Sequence, residues 1–400
     1  MKIRQPVYFK DFCCIGSNCS DNCCIGWEID IDKETEEYYN AVKDKLKGQK
    51  IKTLGERLER YISSGEPPHF IMDGERCPFL NKDNLCDLIL ELGEESLCEI
   101  CREHPRFYEW FGNTEERGLG LCCEEAARLI LQSQESAGFE EWEEEKPAEP
   151  EEGHMDERLD GQEEGPEGKL LESFLGARNS IFQLFQDRSF RLNERFVLAL
   201  FLTEELQKIL EQDWNENEKA EKIESVICVF GDRNVCNEIL KKTREKKGGL
   251  REECIDRILA FYEGLEPIDE QWTEKVKEMR KHLPAILEKE KEFARYYRDF
   301  LYEYEHLAVY FIYRYFMKCY YDGDMVSKMG LAVVSCLFIW LMGVDTWEKT
   351  GQFTLKDQIE AAKAYSKEIE YSEENLEYLE EAFWNEEDFS AERLLQLMED

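Results

Sequence analysis

The 400-residue sequence lacks the features that would place it among secreted, membrane or nucleic-acid-binding proteins. Its first residues, MKIRQPVYFKDF, contain no apolar stretch of signal-peptide length, and no window reaches the roughly 18 to 20 apolar residues that span a bilayer. Lysine and arginine number 51 against 89 acidic residues, and a net charge of −38 repels phosphate backbones and anionic lipids. We therefore expect a cytoplasmic protein that neither binds nucleic acid nor inserts into a membrane.

Cysteine, by contrast, is abundant: there are sixteen, and eleven of them precede residue 124. Disulfides are rare in reducing cytoplasm, so metal binding becomes the leading explanation. The same region offers only His69 and His104 as nitrogen ligands. Ligation mostly by sulfur suits zinc or an iron–sulfur cluster, and sequence alone does not choose between them.

The spacing of the cysteines selects the candidate ligands. A C-x2-C pair lets two sulfurs reach one ion, and three such clusters in about 120 residues are far more specific than one. Neighbouring side chains diverge, so the adjacent Cys23 and Cys24 serve two sites or one of them only packs. The nine candidate ligands are Cys14, Cys19, Cys23, Cys24, Cys77, Cys86, Cys98, Cys101 and Cys123.

Composition divides the chain into three parts. Residues 1–135 form the cysteine-rich metal-binding domain, 136–169 an acidic linker, and 170–400 a helical domain. Between residues 140 and 167 there are fourteen acidic residues, three prolines and three glycines, which leaves little to bury. The predicted fold is mainly α, with a loop-rich N-terminal metal domain followed by a C-terminal helical bundle.

Apolar residues recur at three- and four-residue steps after residue 170 and predict successive helices. Pro284 is predicted to open a long helix that bends near Glu305 and runs to Tyr321. Thr354 is predicted to cap another, and the apolar stretch 331–343 to be a buried core helix. The dense aromatic residues of the long helix either pack between neighbouring helices or line a groove for a substrate or cofactor.

The cysteine motifs resemble those of the flagellin lysine-N-methylases over about 120 residues. The matching motifs are C-x4-C-x3-CC-x2-W-x2-D from Cys14 to Asp30, CPFLNKDNLC from Cys77 to Cys86, LC-x2-CR-x2-PR from Leu97 to Arg106, and C-x2-A-x-R from Cys123 to Arg128. They are also similar, more distantly, to proteins with a zinc- or iron-chelating cysteine-cluster domain.

The resemblance implies a methyltransferase that modifies ε-amino groups of surface lysines on flagellin. It also implies S-adenosylmethionine as methyl donor and an iron–sulfur cluster on the cysteines, of the 4Fe-4S type, with zinc as the alternative metal. The lysine must lose its proton before it attacks, so the site has to desolvate the amine or supply a carboxylate or tyrosinate base.

Five residues beyond the cysteines are candidates for that site. Trp27, Asp30 and Tyr108 are the catalytic candidates, with Trp27 stacking on the lysine stem or the adenine. Arg102 and Arg106 are candidates to bind the donor's carboxylate as a fork. The competing interpretations are packing for Trp27, a cap or turn for Asp30, and neutralisation of sulfur charge for the arginines.

Two donor-binding motifs are missing from the sequence. It has no strand-turn-helix glycine motif of the doubly wound methyltransferases and no C-x3-C-x2-C triad, so the donor site stays unassigned. Two hypotheses without catalysis remain open: a metal-binding module or metallochaperone that docks a protein partner, and a zinc-stabilised scaffold.

Overall fold

The computed structural model describes residues 1–20, 23–25, 29–46, 52–74, 76–144, 168–245 and 250–398. The predicted catalytic residue Trp27 and most of the predicted linker lie outside these ranges. Within them the chain is mainly helical, with a small sheet and a C-terminal helical bundle, which confirms the predicted fold class.

A four-stranded sheet joins distant parts of the N-terminal third. Its strands are β1 (Lys2–Pro6), β2 (Arg106–Phe111), β3 (Thr114–Leu119) and β4 (Phe139–Glu143), in the order β2-β3-β1-β4. β1 runs parallel to β3 and antiparallel to β4, and β2 runs antiparallel to β3. Because β4 belongs to the sheet, the predicted 136–169 linker contains a strand near its start; the domain boundaries themselves remain a prediction.

The cysteine-bearing segment between β1 and β2 lies outside the sheet and has a hydrophobic core of its own. Its described residues form four α-helices: α1 (Lys33–Leu46), α2 (Lys52–Tyr61), α3 (Asp87–Leu92) and α4 (Glu99–Glu103). The apolar side chains of Ile29, Tyr39, Leu58, Phe70 and Phe79 are almost fully buried in one cluster, and Cys77 and Cys98 belong to it. A small hydrophobic core therefore surrounds the thiols.

Helix α5 (Glu124–Leu131) connects this segment to the bundle. It packs against two later helices, α12 (Tyr302–Tyr315) and α15 (Leu355–Ile369). At the junction the Leu121 amide donates to the Tyr310 hydroxyl at 3.3 Å, and Tyr310 donates to Glu370 at 2.8 Å. Beneath the sheet, Arg178 and Glu116 form an ion pair whose side chains are 0% and 1% exposed. The sheet is thus fixed to the bundle by buried polar contacts as well as by apolar packing.

The remaining helices build the bundle around one core. They are α6 (Lys169–Gln186), α7 (Leu192–Leu210), α8 (Glu216–Phe230), α9 (Arg233–Glu245), α10 (Arg251–Glu263), α11 (Trp272–Tyr296), α13 (Cys319–Asp322), α14 (Met325–Thr350), α16 (Glu373–Asn385) and α17 (Ala391–Leu397). The predicted Thr354 cap of α15 is confirmed, since its amide donates to Asp357 at 2.8 Å in a capping box.

Helix α14 is the central element of the bundle. By length and composition it is apolar enough to cross a membrane, but 83% of its most apolar window is buried inside the protein, as in a core helix. The prediction of a buried core helix over 331–343 is confirmed.

The prediction for the preceding helix was wrong at two points. Pro284 does not open it: α11 starts at Trp272 and contains Pro284. The helix is then interrupted between Tyr296 and Tyr302, before the predicted bend near Glu305. A proline removes one hydrogen bond from a helix, and the burial of Val276, Met279 and Leu283 ahead of it favours continuing the helix all the same.

Candidate functional site

The C-x2-C pair lies at the start of α4. Cys98 is the residue before the helix, and the Cys101 amide donates to the Cys98 carbonyl at 3.1 Å, so one turn brings the two thiols together. The pKa of Cys98 is lowered, first because Cys101 donates a hydrogen bond to it. The pKa of Cys101 is raised by the same hydrogen bond and by burial. A hydrogen bond between two thiols brings their sulfurs to positions between which a metal ion can replace the hydrogen.

Cys77 and Cys86 close the CPFLNKDNLC loop. Burial raises the pKa of Cys77 to about 11, while the amides of Phe79 and Leu80 act in the opposite direction by donating to its sulfur. Burial also raises the pKa of Cys86, which immediately precedes α3. Amides directed at sulfur stabilise the thiolate form that binds metals.

Cys24 links the first cysteine segment to this loop. Its carbonyl accepts from the Cys77 amide at 2.9 Å. The pKa of Cys24 is raised first by its hydrogen bond to Cys23 and then by burial. Nearby Cys77 and Cys86 raise it further. We call the group made of Cys24, Cys77, Cys86, Cys98 and Cys101 the thiol cluster; all five contact the small N-terminal core.

A second set of thiols lies where α5 begins. Burial raises the pKa of Cys123 to about 11, and the neighbouring Cys23 and Cys19 contribute to the rise. Cys19 is within 3.6 Å of a Glu124 carboxylate oxygen. Cys23 therefore raises the pKa of one thiol in each set, Cys24 in the thiol cluster and Cys123 at the start of α5. Cys14 is exposed, and its sulfur accepts from the Gly16 amide at 3.4 Å.

The donor chemistry of these thiols fits a soft metal, but they are not arranged as a finished ligand shell. In the parts of the chain that the structure describes, no three cysteine, histidine or acidic side chains are grouped closely enough to hold a metal ion. All sixteen cysteines lie in those parts, and none is in a disulfide. Five of the nine predicted ligands contact one small core, and which of the nine bind a metal stays a prediction.

Two of the predicted catalytic residues, Asp30 and Tyr108, lie in the part of the chain that the structure describes, and they have different partners. Asp30 is exposed and pairs through its backbone with His69. The Tyr108 hydroxyl donates to Glu103 at 2.7 Å, and its pKa is raised by burial and then by that carboxylate. A raised pKa disfavours the tyrosinate, so Tyr108 is a poor general base near neutral pH.

The two predicted donor-binding arginines are directed to different partners. Arg102 lies 3.6 Å from the Glu103 carboxylate, and its side chain is 47% exposed. The Arg106 guanidinium stacks over Phe12 at 5.0 Å from the ring centroid. These contacts correspond to surface pairing and packing, and the proposed carboxylate fork stays an untested prediction.

A cleft in the helical bundle was not identified from the sequence. Its volume is about 710 Å³, and it lies among the start of α7, α11, the α11–α12 connection, α14 and the end of α17. Aromatic rings of Phe190, Phe196, Tyr302, Tyr304 and Trp340 contribute to its walls. We call it the Trp340 cleft. The signal available in the sequence is only the density of aromatic residues in the predicted long helix, which either pack between neighbouring helices or line a groove.

Charged residues of both signs line the Trp340 cleft. The basic ones are Arg188, Arg191, Arg195, Arg251, Lys291 and Arg298, and the acidic ones are Glu290, Asp299 and Glu305. This part of the surface carries a basic excess although the whole chain has a net charge of −38.

Comparison with known proteins gives one family match and several relatives. The model of the FliB lysine N-methylase C-terminal domain matches residues 178–397. The flagellar biosynthetic protein FliU of Salmonella muenchen is 32% identical over 133 residues, which are 32% of this chain and 76% of FliU. Proteins named lysine-N-methylase from Salmonella choleraesuis SC-B67 and Salmonella typhimurium LT2 are each 30% identical over 143 residues, 35% of this chain. The match spans only 35% of the length of each of these two methylases, and no solved structure matches the chain.

Proposed function

The chain belongs to the FliB lysine N-methylase family, and from that membership we propose that it methylates lysine ε-amino groups of flagellin in the cytoplasm, with S-adenosylmethionine as methyl donor. The observation that carries the proposal is the family match, which covers more than half of the 400 residues. The cysteine motifs of the N-terminal part, matched by resemblance to the same methylases, support it independently.

The chemistry asks two things of the protein. S-adenosylmethionine supplies an electrophilic methyl group on a sulfonium sulfur. The lysine nitrogen bonds to that carbon while the carbon–sulfur bond breaks, its electron pair stays on sulfur, and the amine proton passes to a base or water. The chain therefore has to lower the pKa of the lysine ammonium by desolvation and hold the amine in line with the methyl group.

We also propose that the thiol cluster holds an iron–sulfur centre. The buried surroundings of Cys77 and Cys98, the hydrogen bond between the two thiols of the C-x2-C pair and the amides directed at Cys77 support the proposal. Zinc is the alternative occupant of the same sulfurs. Metal binding would then contribute to folding of this segment, as it does in small zinc domains.

A methyl-transfer assay on anaerobically purified protein tests the function. Incubation with flagellin and methyl-labelled S-adenosylmethionine is expected to give N-methyl-lysine, and metal analysis to give iron with inorganic sulfide. The variant Cys98→Ser is expected to lose metal, whereas Cys228→Ser, an exposed thiol on α8, is the matched control. Circular dichroism checks that both variants fold.

The outcomes separate the competing functions. Methyl-lysine with iron and sulfide supports the full proposal. Methyl-lysine with zinc alone overturns the iron–sulfur part. Bound metal with no methyl transfer at full metal occupancy would make the protein a non-catalytic metal module.

A further inference from the structure

We propose that the Trp340 cleft binds the methyl donor, a purine nucleoside joined to a zwitterionic amino acid through a sulfonium. This inference rests on the proposed function, and it assigns the donor to a site in the bundle, apart from the cysteine motifs.

The size and walls of the cleft suit such a ligand. About 710 Å³ lies within the range of small-molecule pockets, which are mostly apolar with a few fixed polar groups. Leu192, Leu301 and Leu337 line it together with the aromatic rings. A planar purine can stack on such rings without hydrogen-bond readout.

The indole ring of Trp340 is held in place by hydrogen bonds. Its indole nitrogen donates to Glu290 at 2.9 Å, and Arg251 donates to both oxygens of the same carboxylate at 2.6 and 2.9 Å. Arg251 in turn donates to the Leu397 carbonyl at 2.8 Å. The indole is therefore held by a chain of contacts from the end of the bundle, and it remains partly exposed. An aromatic face held in this way attracts a purine or a cationic sulfonium.

The charges in the cleft favour a ligand that carries a carboxylate. Glu305 is 1% exposed and pairs with Arg188 at 2.8 Å and Arg195 at 2.9 Å, just as Glu290 pairs with Arg251. Both carboxylates are thus neutralised by arginine. The basic side chains that outnumber the acidic ones in the cleft can then pair with the carboxylate of the ligand.

The rim adds a group for the ligand's carboxylate. Lys291 is exposed on α11 at the mouth of the cleft. Lys289, two residues earlier, is directed to Glu292 at 3.0 Å and does not line the cleft. The two lysines form a matched pair that differs in access to the cleft.

The ring of Tyr304 adds to the aromatic wall of the cleft. It lines the cleft and meets Trp340 edge-on at 5.0 Å between centroids.

Calorimetric titration with S-adenosylhomocysteine, the stable product form of the donor, tests the assignment on the full-length protein. Trp340→Ala is expected to weaken binding about tenfold, the loss of one stacking partner. Trp347→Ala, which removes a partly buried indole of the same helix outside the cleft, is expected to change it less than about twofold.

Lys291→Glu provides a surface variant that keeps the core intact. It is expected to weaken binding about fivefold, whereas Lys289→Glu leaves it unchanged. Equal affinity of wild type, Trp340→Ala and Lys291→Glu would overturn the cleft assignment while methyl transfer by the wild type kept the proposed function. If the wild type binds ATP in this cleft and does not bind S-adenosylhomocysteine, the assignment is also overturned. Absence of both donor binding and methyl transfer would instead refute the proposed function.

Discussion

Glu303 is expected to make the stability of the bundle fall as pH rises through neutrality. Its side chain is 0% exposed, and the Tyr297 hydroxyl donates to one carboxylate oxygen. The other oxygen has no partner among the described residues. Burial raises the pKa of Glu303 from 4.5 to about 7, with the Tyr297 hydrogen bond acting weakly against it.

The sign and size follow from proton linkage. Because the folded protein holds this proton more tightly than the unfolded chain, the stabilising contribution is complete below pH 4.5 and is lost as pH rises toward 7. A rise from 4.5 to about 7 at about 1.36 kcal/mol per pH unit corresponds to about 3 kcal/mol in all. About 2.5 kcal/mol of this stabilising contribution is lost between pH 5 and pH 8.

Urea unfolding of Glu303→Gln and wild type at pH 5 and pH 8 measures the effect. Glutamine keeps the size and an acceptor for Tyr297 but carries no charge, so the variant's stability relative to wild type should increase by about 2.5 kcal/mol from pH 5 to pH 8. Glu374→Gln is the control, since Tyr378 donates to Glu374 at 2.8 Å on the exposed surface. If the difference between Glu303→Gln and wild type is the same at both pH values, folding does not raise the pKa of Glu303 and the reasoning fails.

Three other substitutions have defined expectations. Arg178→Ala should cost about 3–5 kcal/mol in urea unfolding because it leaves Glu116 charged and buried, and wild-type stability in this variant would contradict the ion pair. Gly118→Ala places a methyl group 2.2 Å from the Phe107 ring across the strand pair, so its melting temperature should fall, and Phe107→Leu in the same chain should restore part of it. Asp324→Ala removes the acceptor of an amide at the start of α14 and should cost about 1 kcal/mol by the same measurement; an unchanged midpoint would exclude a capping role.

Local spacing predicted what depends on neighbours in sequence. The C-x2-C pair of Cys98 and Cys101 meets because one helical turn brings the residues together, and the Thr354 cap forms because Asp357 is three residues away. The buried apolar stretch of α14 was likewise visible, since every face of that helix is hydrophobic.

Features that depend on distant partners were not visible. The sequence of β3, TEERGL, does not alternate between apolar and polar residues as a strand pattern would. Its Glu116 can be buried because Arg178, which lies in another element, compensates the charge. The Trp340 cleft needs Arg251, Glu290 and Trp340, which come from three helices. Both features depend on charged residues that pair across the fold. Hydrophobic periodicity does not predict such pairs.

The position of β1 between β3 and β4 sets an order of events during synthesis. At about 5–20 residues per second, the ribosome completes β4 roughly 7 to 30 s after β1. β3 is completed 24 residues before β4, and Cys101, the last thiol of the cluster, is translated 42 residues before β4 ends. If the cluster holds the proposed metal, all five thiols are available to it for roughly 2 to 8 s before the closing strand is complete, and loading can precede assembly of the bundle.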